Sequence, residues 1–438
     1  MVTAEGASSS PGRVPALRLT GTNSFVKRTR RTLRFDPVSI LLSAAVALSP
    51  FLVWRIPGAF FTVSDGLIVI AGFVWVVRGA MGAKRGPGGS RAELVWTFGV
   101  GLLVFSLGLF SVWNGDASRG LLVVGQYGFA LGLLPVLASR LGGDRIEVLI
   151  RWYLVGTGVV AGYGVLAYYL APDLPWVNWV GGRVGSLLEN PNHLSKAIAV
   201  AFPFLLRWGY VELRSLPLVL LLAALFVGGL LVSSSFGGLL AAVFSIGLFL
   251  VLSGQVRAAV LILVAAGCAA FIFFASGIEA PEIFVTRVMP LLDSRQALND
   301  AGSFNEKVAL ATQAWDNIGR NPLSGMGADM FEKISITRVP VHNTYLLLWV
   351  EGGIGALVGF MMAMVAALML CLKAWRSGDR ILGASCVATV SGFLFVSLTN
   401  THVYGRFWVV PVVLSGVACS ALEKRKSDVG AEPRVHRR

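Results

Sequence analysis

The segment Val341-His342-Asn343-Thr344-Tyr345 opens an apolar run that continues to about Leu372. Histidine titrates near neutrality, and a helix amino terminus disfavours imidazolium, so His342 is expected to stay neutral and able to accept a proton. Four fixed cations, Arg183, Lys307, Arg338 and Arg406, fall in segments that share its side of the apolar runs. Such a pairing suits proton removal at a membrane boundary while positive charge stabilises a lipid-linked, anionic substrate. No Asp-x-Asp pair occurs in either long polar segment, so no metal is expected to do the second task, and no other cofactor is implied.

The elements that carry these residues follow from length. Some thirty residues beyond His342 make about 45 Å of helix, whereas a bilayer core is about 30 Å thick. The first turns therefore project past the hydrocarbon and set the ring at a membrane boundary. Tyr345 and Trp349 share its helical face. Glu351 is rotated about half a turn away and, as an intramembrane carboxylate, needs a polar partner on a neighbouring span.

Composition fixes the class. Hydrophobic residues make up 55% of 438 and charged residues 14%, and long apolar runs recur from Val38 to Leu422, which excludes a soluble globule and implies an all-α integral membrane protein. About twelve spans are expected, starting near residues 38, 60, 93, 120, 148, 193, 216, 236, 258, 342, 381 and 407. Met1 to Asp36 is too long for a signal-peptide n-region, so the first span is expected to be retained. Most of the 37 Lys and Arg fall on one set of connecting segments, which places both termini in the cytoplasm and explains the formal charge of +14 as topology rather than nucleic-acid binding. The organisation is then a basic tail at 1–36, with Lys27, Arg28, Arg30, Arg31 and Arg34 against anionic headgroups. Spans one to nine follow at 37–276 with an outer loop at 171–192. An extracytoplasmic loop occupies 277–341, spans ten to twelve 342–422, and a basic tail 423–438. Cys268, Cys371, Cys386 and Cys419 lie inside apolar runs, and suggest neither a disulfide framework nor a metal knuckle.

The two outer segments carry the remaining signals. In the first, Arg183 is followed by Glu189-Asn190-Pro191-Asn192, and His193 and Lys196 open the next span. In the second, Ser303-Phe304-Asn305-Glu306 fits a capping box for an amphipathic helix over about 304–319, with Val308, Ala311, Trp315 and Ile318 on one stripe. Asn321-Pro322 stops it, and Gly325-Met326-Gly327 follows, too short alone to signal a phosphate cradle.

Three of these stretches together resemble the O-antigen ligase and polymerase superfamily. They are Arg183 with Asn190-Pro191-Asn192; Lys307 through Asn321-Pro322-Leu323-Ser324-Gly325-Met326-Gly327; and His342-Asn343-Thr344-Tyr345 with Glu351-Gly352-Gly353-Ile354-Gly355. The resemblance implies a GT-C-like membrane glycosyltransferase of the bacterial cytoplasmic membrane with an extracytoplasmic active site. Its donor would be a polyprenyl-diphosphate-linked glycan and its acceptor a glycan, lipid or protein hydroxyl. It also implies catalytic roles for His342 and Lys307, and substrate binding by Arg183, Asn190, Asn192, Arg338, Asn343, Tyr345 and Arg406. Two positions depart from the family pattern: Phe236 stands where an arginine is usual, and Lys307 replaces an arginine, losing the bidentate fork.

The same residues have plainer readings. His342 could anchor a helix end, Lys307 could be a solvated flank, Arg183 could snorkel to headgroups, and Asn190 and Asn192 could hold the turn at Pro191. A repeat-unit polymerase would use the same donor twice. A transporter or flippase of lipid-linked glycan would instead show ionisable residues deep in its spans and internal repeats.

Overall fold

The computed structural model describes residues 36–56, 61–80, 90–255, 281–288 and 304–431. Helices dominate: α1 (Pro37–Leu48), α2 (Val63–Ala80), α3 (Arg91–Trp113), α4 (Ala117–Ala138, with a π-helical turn at Gly128–Leu133) and α5 (Gly143–Tyr169) come first. Then follow α6 (Pro191–Val211), α7 (Leu216–Ser233), α8 (Phe236–Ser253), α9 (Glu282–Val288), α10 (Phe304–Arg320), α11 (Met330–Ile334), α12 (Thr344–Arg376), α13 (Arg380–Ser397) and α14 (Arg406–Ala431). Two antiparallel hairpins complete the list, β1 (Arg55–Ile56) with β2 (Phe61–Thr62) and β3 (Asn178–Val180) with β4 (Arg183–Ser186).

Among the described residues, nine helices are long and apolar enough to cross a membrane. The protein is thus a multi-pass, all-α membrane protein. The span expected near residue 258 lies outside the described residues. At the first expected span, α1 has only 12 residues, about 18 Å of helix. It stops before Ser49-Pro50, where proline disfavours helical geometry in the residue preceding it.

Small residues decide the central packing. Between α3 and α12, a Cβ on Gly99 would lie 2.7 Å from the Gly359 carbonyl, and one on Gly359 would lie 2.5 Å from that of Gly99. The backbones therefore touch, which is how helices associate where apolar surface gains nothing by leaving lipid. α6 is the most enclosed span, 78% of its apolar window being buried, and so forms the axis around which α7, α8 and α13 pack.

α12 is not the continuous helix expected from residue 342. Asn343 caps it, its side-chain oxygen accepting from the amides of Tyr345 and Leu346 at 3.0 and 3.1 Å, and Gly353 interrupts it with φ 65° and ψ −177°. That region of backbone space is essentially restricted to glycine. The break frees carbonyls of the preceding turn, and the segment after Pro322 satisfies them: Met326 N–H donates to Val350 O at 3.0 Å and Gly327 N–H to Glu351 O at 2.9 Å. A Cβ on Gly325 would sit 2.0 Å from Glu351 O. Gly325-Met326-Gly327 thus closes the broken helix. Asn114 Nδ2, at the end of α3, donates to Gly325 O at 2.8 Å and fixes the other side of this strap.

Ser303, the first residue of the expected capping box, lies outside the described residues. The helix that follows, α10, docks on α12 through Leu310, Ala314 and Ile318, which pack with Phe331, Val341, Leu347 and Val350. The expected stripe is thus rotated: Val308 and Trp315 are exposed, and only Ile318 of the four is fully buried.

A candidate active site at the head of α12

The site begins with β4. Arg183 is 8% exposed. Its Nε donates to Ser233 O at 2.8 Å and its Nη2 to Asn192 Oδ1 at 2.7 Å. Ser235 Oγ donates to the same oxygen at 2.9 Å. Asn190 caps α6 by accepting from the Asn192 amide at 2.8 Å. One guanidinium and one amide therefore tie β4, the start of α6 and the α7–α8 hairpin together, with the left-handed residue Ser234 (φ 46°) at its turn.

Within the first turns of α6, Lys196 is 3% exposed. Its Nζ donates to Thr399 O and Asn400 Oδ1, both at 2.7 Å. Its side chain also lies against the hairpin that carries Phe236, since a Cβ on Gly237 would be 3.8 Å from Lys196 Cε. Thr344, the first residue of α12, donates its hydroxyl to Thr401 O at 2.6 Å. Lys196 and the head of α12 thus hold one turn, 399–401, from two sides.

This arrangement gathers charge around His342. Lys307 and Arg183 are close enough for their charges to act on Lys196, and Lys307 and Lys196 act in turn on His342. The His342 ring is half-buried. Burial first, then the positive charges of Lys307 and Lys196, holds its pKa below the usual histidine value, outweighing Glu306 and the Pro340 carbonyl. Its Nδ1 is enclosed and has no hydrogen-bond partner. His193 stands nearby on α6, with its ring against Phe407 and Trp408 at 5.5 and 5.2 Å, and it too feels the charge of Lys196.

Other sequence candidates are placed differently. Arg406 is buried, with Nε on Asp65 of α2, Nη1 on Gln126 of α4 at 2.5 Å and its Cζ 4.8 Å from the centroid of the Phe129 ring. Arg338 is exposed at a left-handed position (φ 57°), and its guanidinium donates to Lys333 O. Tyr345 turns to α13 and donates to Leu394 O at 2.8 Å. Trp349 donates to Pro322 O at 2.8 Å and meets Trp315 edge-on at 5.9 Å. Lys196, which the sequence marks only as opening the sixth expected span, emerges as a member of the cluster; its place near the start of a span that follows a polar loop was the one available signal.

Among the described residues, two further groups converge from positions remote in sequence. Cys371, Cys386 and Cys419, on three helices, have sulfurs within 4.8 Å of one another, a grouping their apolar contexts did not announce. Asp329, Glu351 and His402 converge equally closely. His402 Nε2 lies 3.1 Å from Glu351 Oε2 and 3.5 Å from Asp329 Oδ1. Glu351 thereby finds a polar neighbour, on the connection between α13 and α14. Burial alone would lower the His402 pKa, but the two carboxylates bring it up to about 9.

Residues 220–361 match the family model described as O-antigen ligase. That stretch contains the α7–α8 hairpin, Lys307, the strap, His342 and Glu351, but not Arg183 or Lys196. No curated protein matches the chain.

Proposed function

We propose that this chain, a member of the O-antigen ligase superfamily, transfers a glycan from a polyprenyl-diphosphate carrier to an acceptor hydroxyl at the extracytoplasmic face of a bacterial cytoplasmic membrane. The observation that carries the reading is the half-buried ring of His342, its pKa held down beside the charges of Lys307 and Lys196. In this mechanism the acceptor O–H gives its proton to neutral His342 as its oxygen bonds to the anomeric carbon. The bond from that carbon to the diphosphate oxygen breaks, and its electron pair leaves with the diphosphate. Attack opposite the leaving group inverts the anomeric centre.

Basic side chains stabilise the departing charge without a metal at the reacting centre. Lys307 and Lys196 are the direct candidates, and Lys196, lying against the hairpin of Phe236, supplies from α6 the positive charge absent at that position. Arg183 and Asn192 hold the hairpin in place. The GT-C-like arrangement and the lipid-facing donor belong to the same proposal.

Reconstituted protein given donor alone, then donor with a second acceptor, tests the reading. Product only after the second addition identifies a ligase, and chain growth on donor alone identifies a polymerase. Donor that crosses the bilayer intact, with no polyprenyl diphosphate released, contradicts transfer and identifies a transporter.

A further inference from the structure

We propose that Asp329, Glu351 and His402 form a binding site for one divalent metal ion of the zinc or manganese class at the break in α12, distinct from the charged cluster around His342. Their ligand atoms, one nitrogen and two carboxylate oxygens, lie within 4.8 Å of one another. Mixed nitrogen and oxygen ligation of this kind suits borderline divalent ions.

The orientation of the side chains supports this assignment. Glu351 is 0% and His402 8% exposed, and neither Glu351 Oε2 nor His402 Nε2 has a hydrogen-bond partner. They are only 3.1 Å apart, yet they do not meet in line as donor and acceptor. Both side chains are fixed from behind. The Phe331 amide donates to Glu351 Oε1 at 3.3 Å, and the Tyr127 hydroxyl contacts His402 Nδ1 at 3.1 Å while accepting from the Val403 amide at 3.4 Å. Metal-bound imidazoles and carboxylates are characteristically oriented by such outer partners. Two buried polar atoms held toward one point, with a third oxygen beside them, make a costly arrangement unless a cation joins them.

Charge and access agree. With the imidazole in the neutral form that binds a metal, the three side chains carry −2, which a divalent ion cancels as it displaces the proton His402 otherwise holds. Arg119 and Lys333 act on Asp329 from outside and balance part of this charge. Asp329 is 28% exposed, so it offers the path of entry and a coordination position open to water. The bound ion would cross-link the turn before α11, α12 at its break and the α13–α14 connection. Glu351 stands about two turns into α12, past the Asn343 cap that separates the helix from His342, so the ion would support the site rather than take part in transfer.

The test uses purified full-length protein, stripped with chelator and equilibrated with zinc or manganese chloride alone, and reads bound metal per chain by atomic emission together with the melting temperature. Wild type is expected to hold one ion per chain and to melt higher with metal. Asp329→Asn, at the partly exposed ligand, and His402→Gln should each weaken binding at least tenfold. Cys371→Ser and His342→Ala should bind like wild type, which separates this site from the thiol group and its failure from failure of the transfer mechanism. No retained ion in wild type, or equal retention by Asp329→Asn and His402→Gln, would overturn the proposal and leave a proton on His402 as the occupant.

Discussion

Replacing Lys196 with methionine removes one of the charges acting on His342 and takes the donor from Thr399 O and Asn400 Oδ1. A unit charge about 4 Å from a diphosphate oxygen, at an effective dielectric near 20, interacts by about 4 kcal/mol. The net worth of a charged hydrogen bond is smaller, about 1.5–3 kcal/mol. That net figure corresponds to a fall of about 10- to 100-fold in kcat/KM. The loss belongs in kcat, because the charge it stabilises develops as the diphosphate departs. Stability moves less. Two local acceptors lose a donor at about 1–3 kcal/mol, while the buried ammonium no longer has to be stripped of water. Lys196→Arg should retain most of the activity. Initial rates of polyprenyl diphosphate release over a range of donor concentrations, with melting temperature as the control, provide the assay. A Lys196→Met protein that melts normally and keeps kcat/KM within twofold of wild type would refute a direct role for this cation.

Because burial and the charges of Lys307 and Lys196 depress the His342 pKa, the base stays deprotonated below pH 6.5 and the acid limb of kcat/KM should fall only under that value. Lys307→Met should raise the His342 pKa and move that limb upward, which a pH–rate profile reads; an unmoved limb would contradict the coupling. Gly353→Ala places a Cβ 2.4 Å from Leu323 O at φ 65°, and strain in that region alone costs about 1–3 kcal/mol, so a drop of several degrees in melting temperature is expected and an unchanged value would count against the break. Arg183→Ala takes the side-chain donor from Ser233 O and leaves Asn192 Oδ1 with Ser235 Oγ alone, and should lower the melting temperature together with activity, whereas loss of activity at full stability would assign Arg183 to substrate rather than to the hairpin.

The helices were legible because a run of apolar residues long enough to cross lipid can satisfy its backbone only as helix. The starts of α3, α6, α8, α13 and α14 fall within a few residues of expectation for that reason. The register of α10 was not legible. Its apolar residues lie on two adjacent stripes, and in a protein bordered by lipid an exposed Val308 or Trp315 is as acceptable as a buried one, so only the shape of α12 selects Leu310, Ala314 and Ile318. The break at Gly353 was hidden for a related reason: glycine pairs are ordinary in spans, and what freed the carbonyls of Val350 and Glu351 to bend away is a strap some distance back in the chain.

The site divides in the same way. The need of Glu351 for a polar partner followed from its place in an apolar run, but His402 is brought to it by the return of the chain between α13 and α14, which carries no local pattern. Asn343, which the resemblance implies as a substrate ligand, is the cap of α12 and accepts from two of its amides. For Arg406, a charge at the start of a span pointed to a substrate phosphate; its actual partner, Asp65, comes from α2, and nothing near either residue marks the pair.

The most direct measurement compares wild-type and His342→Ala protein, purified, matched in melting temperature and supplied with a polyprenyl-diphosphate-linked glycan and a hydroxyl acceptor, by the rate at which free polyprenyl diphosphate appears. Loss of a general base of this kind should slow that release by about 10²- to 10⁴-fold at neutral pH. Release at the wild-type rate from a correctly folded His342→Ala protein would contradict the assignment of His342 as the base.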